Sequence, residues 1–88
     1  MYSLTGDEYI EKAVKLYSKS MLNAAYSLLH SVPDAEDAVQ EAFVKYIQKA
    51  PDFKDAEQEK AWLLRVTINI SKNMLKTSSR KTLSDYED

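Results

Sequence analysis

From Ile10 onward the apolar side chains fall three or four residues apart: Ile10, Ala13, Val14, Tyr17, Met21, Ala24, Ala25 and Leu28. That rhythm keeps to one face of a helix for about five turns, and it matches neither face of a strand. It predicts a first helix from about Gly6 to His30, entered through a Thr5–Glu8 capping box and bent near Ser18–Ser20. With one Gly and two Pro in 88 residues, little of the chain can turn sharply. Helices are therefore the default for the rest of it.

Pro33 disfavours helix at Val32, so "SVPD" closes the first helix. Pro33 and Asp34 then open a second, where proline costs no hydrogen bond and an acid favours the N-terminal dipole. Ala38, Ala42 or Phe43, Tyr46 and Ile47 form its apolar side, and "APDFKD" ends it. Asp55 caps a third helix, with Gln58 at the matching box position, ahead of Trp62, Leu63, Leu64 and Val66. The run "VTINI", Val66 to Ile70, has poor helix propensity and no partner strand. A break near Thr67–Asn69 is therefore expected, followed by a fourth helix to about Thr77 and a polar stretch, "TSSRKTLSDYED". There is no internal repeat. The reading is an all-α, compact bundle of three to four helices in one small domain.

Several kinds of chemistry have nothing to work with. There is no Cys, so no disulfide, zinc ribbon or thiol nucleophile. A single Gly cannot form a phosphate-cradling loop. Asp34, Asp37 and Glu41 lie at helical spacing, but His30 is the lone histidine and nothing completes a metal shell. His30, at a helix end, reads as a solvated or capping residue. No Ser has a His in a scaffolded pocket, so neither an enzyme nor a cofactor is expected. No apolar run approaches a membrane span, and "MYSLTGDEYIEK" lacks the apolar middle of a signal peptide. A soluble, intracellular protein is expected.

Charge is divided along the chain. Residues 1–59 hold six Lys against eleven acids, and residues 60–82 hold six cations and no acid. Two surfaces of opposite character follow. On the second helix Asp37, Gln40 and Glu41, with Tyr46 or Ile47 a turn on, form either a solvated face or a docking face for a basic partner helix. Lys72, Lys76 and Arg80 recur every fourth residue, as a soluble face or as a stripe that follows a phosphate backbone. Asn69 either caps the next helix or bonds a base edge. Trp62 is a core residue or a stacking platform.

The order "DAEDAVQEAFVKYIQ", then "AWLLRVTINISKNML", then "SSRK", resembles region 2 of bacterial sigma-70 family factors, most closely the extracytoplasmic-function (ECF) group. The match runs from about Tyr9 to Lys81, and the two halves together are specific. The resemblance implies a transcription initiation factor domain whose second helix docks on the β′ clamp helices of core RNA polymerase. Asp37, Gln40 and Glu41 would be its polar contacts, with Glu36 and Ile47 on the same rim. It further implies that the segment after Trp62 recognises and melts the −10 promoter element. A loop between the last two helices would accept an unstacked base of the non-template strand. Asn69 would contact that base, and Arg65, Lys72, Asn73, Lys76 and Arg80 would line the strand. An anti-sigma factor is an implied possible partner, and a cytoplasmic location follows.

Two departures stand out. The DNA-side segment carries one aromatic, Trp62, which fits the ECF pattern rather than that of primary sigma factors. Family members also continue into a second helical domain. Residues 1–81 are therefore read as the region 2 domain and 82–88 as a polar tail or the start of a linker. The chain reads as a domain cut from a longer factor, which the polar end after Arg80 favours, or as a natural short relative. The competing reading is a helical interaction module, a regulator or adapter, that does not bind nucleic acid.

Overall fold

The computed structural model describes residues 6–49 and 51–87, with side chains described for residues 8, 10–49 and 51–77. These residues form three helices: α1, Gly6–Leu29; α2, Val32–Lys49; and α3, Ala56–Glu87. Contacts set their directions. Tyr17, in the middle of α1, meets Glu59 at the start of α3, and Glu59 also meets Tyr46 near the end of α2. At the other end, Leu29 and Asp34 share a groove with Ile70 and Met74. So α1 and α3 run the same way and α2 runs against them. Thr5 lies outside the described residues, and with it the expected α1 capping box.

The core keeps much of the spacing of the sequence, although Val14 of the α1 series is exposed. α1 contributes Ala13, Tyr17, Met21 and Ala25; α2 contributes Ala35, Ala38, Val39, Ala42, Phe43 and Tyr46; α3 contributes Leu63 and Ile70. Alanines at five of these positions leave little between the helix backbones, which favours close approach. Ile47, read as part of the apolar side of α2, stands in solvent instead, because one turn of helix carries it past the buried arc that ends at Phe43 and Tyr46.

Each helix end has an identifiable cause. α1 stops at His30, whose φ of 53° is left-handed. The His30 N–H still bonds the Tyr26 carbonyl at 2.8 Å. The two rings meet edge-on at 6.2 Å. This is a helix C-terminal cap that normally uses Gly, held here by His. Ser31, not Pro33, starts α2: its hydroxyl accepts from the Asp34 N–H at 3.3 Å and its carbonyl from Ala35 at 2.9 Å. Val32 is thus helical despite the proline after it, and the break expected there falls at His30 and Ser31. Asp55 caps α3 as expected, accepting from the Gln58 N–H at 2.8 Å, and Gln58 returns a carbonyl to the Lys54 N–H at 2.7 Å.

The expected break at Thr67–Asn69 is absent, and so is a fourth helix among the described residues. α3 runs on through the β-branched stretch and the serines to Glu87. The reason lies in its two buried hydroxyls. Thr67 donates to the Leu63 carbonyl at 2.7 Å, and Ser71 to the Thr67 carbonyl at 2.8 Å. Both polar groups are satisfied within the helix and face the core, so packing outweighs weak intrinsic propensity.

Candidate docking and nucleic-acid faces

All but the core side of α2 faces outward. Glu36, Asp37, Gln40, Glu41 and Ile47 are all exposed, so the five residues expected to dock share the open side of this helix. Apolar surface stands among them: Ile47 is 62% exposed and Val44 is 48% exposed. Val44 escaped the sequence reading because it fits no core position. That misfit was itself the available signal. Tyr46, weighed as a rim residue, is buried and contributes to the core instead.

On α3, Arg65, Asn69, Lys72 and Lys76 are exposed and follow one another by four, three and four residues, which places them on one stripe. Asn69 therefore sits in mid-helix with an open side chain. It caps nothing, and no loop adjoins it. Asn73 is also exposed but is rotated toward α2, where it lines a groove of about 600 Å³ with Glu41, Asp34, Leu29, Ile70 and Met74. The backbone of Arg80 belongs to α3, and its side chain lies outside those described. Acidic and cationic faces are thus carried by different helices, and Glu41 and Asn73 are where they meet.

The faces are held by a polar bracket that sequence reasoning missed. The Glu59 carboxylate accepts hydrogen bonds from the Tyr17 hydroxyl at 2.9 Å and from the Tyr46 hydroxyl. One half-buried anion therefore ties all three helices together. Burial, the hydrogen bond to Glu59 and the negative charge of that carboxylate together push the Tyr17 phenol above its usual range. Beside the bracket, Tyr46 stacks on Phe53 with centroids 6.3 Å apart, and Trp62 closes on Phe53 at 5.9 Å and on Tyr46 at 6.2 Å. Trp62 is half-buried in this cluster and serves packing. The visible signal was three polar groups, Tyr17, Tyr46 and Glu59, on otherwise apolar faces.

Among the described residues no cluster of His, Cys, Asp or Glu could hold a metal ion, and no helix is long and apolar enough to cross a membrane. Residues 13–81 match the family described as Sigma-70 region 2, and the chain belongs to it. Such a domain is a non-enzymatic part of a transcription initiation factor. The chain is also 31% identical over 65 residues to the RNA polymerase sigma-H factor of Pseudomonas aeruginosa. That alignment covers 74% of this chain and 34% of the relative, so the chain spans about a third of that protein's length. No solved structure matches.

Proposed function

We propose that this domain docks on core RNA polymerase through α2 and contacts the non-template strand of a −10 promoter element through α3, as in an ECF-type sigma factor. The observation that carries this reading is the pair of faces: a polar rim around Val44 and Ile47 on α2, and a cationic stripe around Asn69 on α3. In the docking step, Glu36, Asp37, Gln40 and Glu41 bond the β′ clamp helices and set their register, while Val44 and Ile47 supply the apolar contact. In the DNA step, Arg65, Lys72 and Lys76 track the phosphates, with Asn73 and Arg80 beside them. Asn69 reads an unstacked base from the helix surface rather than from a loop. The domain works in the cytoplasm, and an anti-sigma factor that covers the α2 rim is a compatible regulator.

The test is an NMR titration of the chain with a short single strand of −10-like sequence beside a scrambled strand. Shifts centred on Arg65–Lys76 are expected, strongest at Asn69 and weaker with the scrambled strand. Asn69→Ala should abolish that preference, a loss of about 1–3 kcal/mol in discrimination, and leave the fold intact. Equal shifts for both strands in the unsubstituted chain would remove base reading from this domain. For docking, Gln40→Ala with Glu41→Ala should weaken capture of core polymerase by about tenfold or more. Unchanged capture would remove α2 from that role, and no shifts with either strand beside intact capture would favour an adapter.

A further inference from the structure

Two of the three helices find a use for their outward faces above, and the third, α1, does not. Its exposed side carries Lys12, Leu16, Lys19, Asn23 and Tyr26, at intervals of four, three, four and three. Leu16 is 56% exposed and Tyr26 is 46% exposed, though neither is needed for the core. Lys15 flanks the same stripe. No acid occurs from Lys12 to Pro33, while Asp7, Glu8 and Glu11 precede that stretch. The outward face of α1 is thus acidic at Glu8 and Glu11, cationic from Lys12 to Lys19, and uncharged from there through Asn23 and Tyr26 to its end, with Leu16 and Tyr26 as apolar points.

We infer that this face docks an acidic amphipathic helix of a partner protein. The four-three rhythm is the spacing at which one helix meets another along a seam, with Leu16 and Tyr26 as apolar contacts and Asn23 as a polar one that sets register. The methylene stems of Lys12 and Lys19 extend the apolar strip while their ammonium groups wait at its edge for carboxylates. A nucleic acid strand fits less well. Leu16 offers nothing to phosphate or to a stacked base, and the acids before Lys12 repel a backbone following the helix axis. A partner helix meets both ends of this charge pattern by carrying acids opposite Lys12–Lys19 and a base opposite Glu11. The face lies on a different helix from the polymerase and promoter surfaces, so the inference does not depend on them.

The probe is a synthetic helical peptide of about three heptads, with Leu along one seam and Glu beside it. It is titrated into the isotope-labelled 88-residue chain, next to a peptide with Lys in place of Glu and a thymidine oligonucleotide. Amide shifts along Lys12–Tyr26 are expected with the Glu peptide alone. Leu16→Glu combined with Lys19→Glu should weaken binding by about tenfold or more at an unchanged melting temperature. If that double variant melts early, Lys15→Glu with Lys19→Glu gives the same test at fully polar positions. The inference is overturned by no saturable binding up to about 1 mM, or by shifts centred on Arg65–Lys76. Equal binding of the Lys peptide, tighter binding of the oligonucleotide to α1, or folded variants with full affinity would overturn it too.

Discussion

Asn69 and His30 are both polar residues in conformations or places that local preference does not choose. Asn69 is a poor helix former in the interior of α3, yet its side chain is open to solvent between Arg65 and Lys72. Replacing it with Ala should raise helix propensity by a few tenths of a kcal/mol, so the variant melts no lower than the parent. Loss of base preference without loss of stability is the signature of a reading residue. His30 shows the opposite balance. Its left-handed φ of 53° strains a side chain with a Cβ, and its ring meets that of Tyr26 edge-on in return. His30→Gly should stabilise the domain by about 1 kcal/mol, seen as a rise of about 4–8 °C in melting temperature. A fall would mean that the ring contact contributes more than the strain costs.

At the scale of the helix, α3 shows how burial settles a weak local preference. Thr67 and Ser71 turn their hydroxyls onto carbonyls of their own helix and place their small bodies against the core. Thr67→Val keeps the shape and leaves the Leu63 carbonyl its backbone partner, so stability should change by less than about 1 kcal/mol. Thr67→Leu forces extra volume into a fully buried site and should cost about 1–3 kcal/mol. Chemical denaturation of the two variants separates these effects. The Glu59 bracket works between helices. Tyr46→Phe keeps the ring in its stack with Phe53 and removes one donor from a half-buried carboxylate. A cost of about 1–2 kcal/mol is expected, reduced from the fully buried value by solvent access. A double-mutant cycle with Tyr17→Phe should show coupling, because both hydroxyls serve one anion.

For the whole molecule, pH and salt act on different parts. Tyr17 has a raised pKa in the fold, so its neutral form is favoured there. The stability tied to that preference is intact below the ordinary tyrosine range near pH 10, and it is lost as pH climbs through the higher folded value. Thermal melts should therefore lose stability on alkaline titration. Tyr17→Phe should reduce that loss, and an unaltered alkaline profile would assign it to other groups. Salt reports on the α3 stripe. With Arg65, Lys72 and Lys76 on phosphates, the logarithm of affinity for a single strand should fall against the logarithm of salt with a slope of about −2. Lys76→Ala should reduce that slope by roughly 0.7 without altering sequence preference.

Local rules and spacing alone made much of this legible. Apolar residues at three- and four-residue intervals placed α1 and α2, the Asp55–Gln58 pair placed the start of α3, and helical register placed Lys72 and Lys76 on one stripe, which Arg65 and Asn69 join only because α3 is unbroken. The motifs around Asp37–Glu41 and Trp62–Asn69 pointed to the sigma-70 region 2 family, to which residues 13–81 belong. What spacing could not decide was which of two apolar neighbours turned inward and whether a weak helix held. Tyr46 went in and Ile47 out because the hydroxyl of Tyr46 meets Glu59 from another helix, 13 residues away. α3 stayed whole because its β-branched face had a core to fill. Both outcomes depend on contacts between segments distant in the chain, and those energies exist only once the three helices have packed.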